Sequence, residues 1–117
     1  MRFLFLALTF LSLLNADEYG ALLFDGNCVT CHFKTTEKSA PSMYEVRERY
    51  RNAFADKEEF VEYLSQWVLN PSEETSLMHD AIKKHGLMPQ LAYEKDVLRE
   101  IAAYIYETDF LKEESLK

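Results

Sequence analysis

A chain of 117 residues is the size of one domain. Its 13 Lys and Arg against 20 Asp and Glu give a formal net charge of −7, which argues against nucleic acid, whose phosphates require basic partners. Gly and Pro are few, at three each, and no repeat, low-complexity tract or interdomain linker breaks the chain.

The chain opens with Met1-Arg2, an apolar run over residues 3–14 broken only by Thr9 and Ser12, and then Asn15-Ala16 ahead of the acidic Asp17-Glu18. A charged start, a short apolar stretch and a small residue at the cut describe a secretory signal peptide over residues 1–16. The run falls short of the roughly 17 apolar residues that a membrane-spanning helix needs. An exported domain over residues 17–117, with no transmembrane segment, is therefore expected.

Within that domain the apolar spacing is helical nearly throughout, and the alternation of a half-buried strand is absent. A first helix is predicted over 17–25, ended by Gly26-Asn27. A second runs over 42–53 with Met43, Val46 and Tyr50 on one side, followed by Phe54. Asp56 with Glu59 reads as the capping box of a third, which carries Phe60, Leu64, Trp67 and Val68 and stops at Asn70-Pro71. A fourth is predicted over 72–85, with Met78, Ala81, Ile82 and His85 on one face, His79 towards solvent and Gly86 as its C-cap. A loop over 87–92 leads to a last helix over 93–108, striped by Val97, Leu98, Ile101, Tyr104 and Ile105. The expected class is all-α, with about five short helices. Their inward aromatics and methionines exceed what so few helices can bury against one another, so a flat apolar cofactor would complete the core.

Cys28-Val29-Thr30-Cys31-His32 is the C-x-x-C-H pattern of c-type haem attachment. Two thiols three residues apart on a helical turn can each form a thioether to neighbouring vinyl groups of one haem. His32 then falls beneath the iron as the proximal ligand. Three other uses of the pair fit the sequence less well. A thioredoxin-like dithiol would want a preceding strand and an α/β pattern. A zinc site would need His79 and His85, far beyond a finger's spacing. A disulfide would close only a tiny loop and stabilise little. For the sixth position on iron the candidate is Met88, in the irregular Gly86-Leu87-Met88-Pro89, where Pro89 keeps the chain out of helix. A soft thioether there raises the reduction potential relative to a second His. Met78 is the main competitor and His85 a further one; Met43 reads as core.

These residues resemble the class I c-type cytochromes, in particular the small bacterial monohaem members, over essentially the whole domain. Gly20, Phe24 and Cys28 fall at four-residue steps like the family's first-helix Gly, aromatic and first haem Cys, and 101–105 (Ile-Ala-Ala-Tyr-Ile) is similar to its terminal-helix signature. The resemblance implies a cytochrome c-like fold wrapped around one covalently bound haem c. It also implies close crossing of the first and last helices at Gly20 and Tyr104, with Phe24 beside them. Ala40-Pro41-Ser42-Met43 is similar to the segment whose proline carbonyl accepts a hydrogen bond from the proximal histidine, which carries over to Pro41 and His32 Nδ1. Met88-Pro89 is similar in setting to the family's distal methionine. Ala40 stands where the family usually has Gly, and Trp67, inside a helix, matches the family's propionate-binding tryptophan poorly: a haem propionate and a stacked core position are both open to it.

The function expected is one-electron carriage between redox partner proteins in the bacterial periplasm, with His32/Met88 axial ligation and no enzymatic conversion. The alternatives are a haem-based small-ligand binding or sensor module, and a haem subunit docked on a larger oxidoreductase.

Overall fold

The computed structural model describes residues 16–116, and among them there are six helices and no strand. The leader expected over 1–16 lies outside the described residues except for Ala16, which opens the first helix. That helix, α1, spans Ala16–Asn27, and α2 spans Met43–Ala53 behind the Ser42 N-cap, whose hydroxyl accepts the Glu45 N–H at 3.2 Å. Helix α3, Lys57–Leu69, starts at Asp56, whose carboxylate takes the Glu59 N–H at 3.0 Å. Helix α4 is His79–His85 and α5 is Lys95–Glu107.

Helix α1 runs on through the Gly26-Asn27 expected to end it, and two elements differ further from expectation. The fourth helix lacks its first half, because side chains claim the backbone groups of 72–78. Trp67 Nε1 donates to the Ser72 carbonyl at 3.1 Å, Tyr63 Oη to the Thr75 carbonyl at 2.6 Å, and the Ser76 hydroxyl accepts the Met78 N–H at 2.9 Å. Such bonds offer the chain an alternative to the helical ladder. A further helix, α6, spans Phe110–Ser115 beyond the predicted end, capped by Asp109 accepting the Lys112 N–H at 3.2 Å.

Helix α5 packs against both α1 and α3. At the α1–α5 crossing a Cβ on Gly20 would lie 2.8 Å from Tyr104 Cβ, so only glycine allows this approach. The Phe24 and Tyr104 rings sit 5.3 Å apart beside it, and Phe110 of α6 completes the cluster 5.5 Å from Phe24. Phe24, Phe60 and Phe110 are wholly buried, each such side chain stabilising the fold by roughly 1.5–3 kcal/mol. Along α3 and α5 an outer seam of ion pairs joins Lys95 and Arg99 to Glu62, Arg99 to Glu58, and Lys57 to Glu107. No helix among the described residues is long and apolar enough to cross a membrane.

Candidate functional site

The chain leaves α1 in further helical turns: Cys28 N–H reaches the Phe24 carbonyl and His32 N–H the Cys28 carbonyl, both at 2.9 Å. This winding brings Cys28, Cys31 and His32 onto the wall of one cavity of about 310 Å³. That volume lies in the range of cofactor sites, roughly 300–1,000 Å³. The rest of the wall is mainly apolar: Met43 and Val46 from α2, Leu64 and Val68 from α3, Ile82 from α4, Ile101 and Ile105 from α5.

Both thiols are free, so the disulfide alternative is not formed. Burial pushes the Cys28 thiol up to about 11, and it stays protonated at neutral pH. A protonated Cys28 is a poor exchange nucleophile, which disfavours the dithiol reading. His79 is exposed, and among the described residues no three His, Cys, Asp or Glu side chains converge as a metal site.

His32 Nδ1 lies 2.9 Å from the Pro41 carbonyl oxygen. A carbonyl can only accept, so Nδ1 carries the proton and Nε2 is left with its lone pair. Burial lowers the His32 pKa, opposed by the Pro41 bond and assisted by nearby His85. The neutral, oriented imidazole that results is the form that binds a metal.

Three methionines, Met43, Met78 and Met88, line the same cavity. Met43 and Met78 are buried among core residues, whereas Met88 is half-buried in the loop after α4. That loop is released by Gly86, at φ 87° and ψ 170°, whose N–H closes α4 on the Ile82 carbonyl at 2.7 Å. Trp67 lines the cavity too, and of the two roles open to it the propionate one is disfavoured, because its indole N–H is already used by the Ser72 carbonyl.

Two features had escaped the sequence reading. Tyr50 is 4% exposed and lines the cavity, and its hydroxyl makes no hydrogen bond to a described residue. Burial raises its pKa, so it faces the cavity as a neutral donor. The second is Glu37, bonded to His85 Nε2 at 2.6 Å and to Lys84 Nζ at 3.0 Å. The helical stripe gave Tyr50 only as core, and no short-range pattern links Glu37 to positions so far along the chain.

The donor set suits a haem: two thiols for attachment, one neutral imidazole with a free nitrogen, one thioether on a loop, and apolar walls. Comparison with protein-family models, with curated proteins and with solved structures returns no match.

Proposed function

We propose that this chain is a c-type cytochrome of the class I kind that carries single electrons between partner proteins. The observation that carries the reading is the gathering of Cys28, Cys31, His32 and Met88 on one apolar cavity, with His32 Nδ1 engaged by Pro41. Cys28 and Cys31 would hold the haem covalently, His32 and Met88 would take the two axial positions, and the helices would wrap the ring. Bound haem supplies a one-electron iron couple. The chain's part is to fix the imidazole through Pro41, to offer a soft sulfur at Met88, and to exclude water with aliphatic side chains. The charged start and apolar run ahead of Asp17 support export, and a bacterial periplasm is the compartment we assign.

The test is an absorption spectrum, oxidised and reduced, of protein made in cells able to attach c-type haem, beside Met88→Ala. A low-spin spectrum with a far-red sulfur–iron band, lost in the variant, is expected. A high-spin spectrum indifferent to the change would remove Met88 and turn the reading towards small-ligand binding. Protein without covalent haem would overturn the reading entirely.

A further inference from the structure

Helix α4 is the least anchored wall of the cavity. It has seven residues, buries none of them completely, and packs on no other helix among the described residues. Side-chain bonds hold its two ends. At its start Asp80 pairs with Arg49 of α2, at 2.6 and 3.0 Å. At its end Glu37 divides its carboxylate between His85 Nε2 and Lys84 Nζ.

From this placement the geometry points to Glu37 as a positioning residue that straps the segment behind His32 to the end of α4, and so sets how readily the Met88 loop swings off the cavity. The inference rests on the function proposed above. Glu37 lies between His32 and Pro41 in sequence, and His85 is followed at once by Gly86, Leu87 and Met88. The strap therefore joins the stretch carrying the proximal imidazole to the stretch carrying the distal sulfur.

An exposed ion pair is ordinarily worth little, and the Lys84 arm, with a side chain 64% exposed, falls in that class. The His85 arm differs. Its imidazole is 10% exposed and lines the cavity while bonding the carboxylate, so packing already holds the histidine end of this contact in place and little side-chain freedom is lost in making it. The bonds to His85 and Lys84 also hold Glu37 below the usual carboxylate range, which keeps it ionised and accepting. Local opening of a segment with few buried contacts is governed by such tethers.

The experiment is stopped-flow binding of imidazole to the oxidised, haem-loaded protein, where imidazole reaches the iron only when Met88 leaves. Glu37→Ala is expected to bind about tenfold faster than the parent chain, the scale of one lost charge-assisted bond. Lys84→Met is expected to stay within about twofold, with helix content and haem load unchanged in both. Unchanged imidazole binding in Glu37→Ala, with haem attached and Met88 ligating in the parent, would overturn the strap alone. Absence of covalent haem from the parent would remove the proposed function and the strap together.

Discussion

Gly86 combines φ 87° with ψ 170°, a region open essentially to glycine alone. No atom lies within 4 Å of the place a Cβ would take, so the demand is on the backbone and not on space. Gly86→Ala is therefore expected to cost about 1–3 kcal/mol in urea unfolding and, on the proposed Met88 ligation, to weaken the sulfur–iron band, since the strain can relax only by moving the Met88 loop. Legibility at this scale follows chain distance. Cys28, Cys31 and His32 are contiguous and their chemistry is local, so five letters suffice. Pro41 came only through likeness to a family segment, and the strap from Glu37 to His85, which are 48 positions apart, could not be read without the fold. The sequence left the partner of the Trp67 indole open because that partner, the Ser72 carbonyl, lies in a stretch that the periodicity assigns to helix.

At the scale of elements, α1 contains two glycines with opposite expectations. At Gly20 even a methyl group would press on Tyr104 Cβ and come within 3.3 Å of the Glu100 carbonyl oxygen. Gly20→Ala should destabilise by about 1–3 kcal/mol through overpacking, and Gly20→Val by more, to the point of disrupting the fold even were the proposed haem attached. Gly26 has nothing within 4 Å, so Gly26→Ala should stabilise the helix by up to about 1 kcal/mol. Thermal melts of the three variants beside the parent check both signs, and a destabilised Gly26→Ala would contradict the open surroundings of that position. Helix α3 was legible because its cap and apolar stripe agreed, α2 and α5 from their stripes, and α1 from its acidic start, although it runs on through the Gly26-Asn27 expected to end it. The first half of α4 was not, since Tyr63, Trp67 and Ser76 satisfy its backbone from outside any local pattern. Helix α6 is short, and its one decisive residue, Phe110, gives no periodicity of its own.

For the molecule as a whole, the acidic surface is organised rather than diffuse. Lys95 and Arg99 hold Glu62 below the ordinary Glu value of 4.5, and Arg49 does the same for Asp80 against 3.8. A depressed carboxyl contributes stability above its unfolded value and loses it as pH falls through the folded one. Melting temperature is therefore expected to decline below about pH 4.5, less steeply in Arg99→Gln, and less steeply for both chains in high salt. Equal slopes in the two chains would show that the α3–α5 seam does not contribute. The all-helical class was plain from composition and spacing; the apolar wall of the cavity was foreseen only as a surplus of apolar side chains, because its shape depends on how helices α2 to α5 meet the loops after α1 and α4.

The Gly20–Tyr104 seam also orders events in time. Helix α1, which leads into both cysteines, is synthesised well before α5, the surface it docks on. Contacts this distant in sequence form late. Cys28 and Cys31 thus remain on an undocked segment until α5 has been made, an interval in which the haem of the proposed function could reach both sulfurs before the helices close around it.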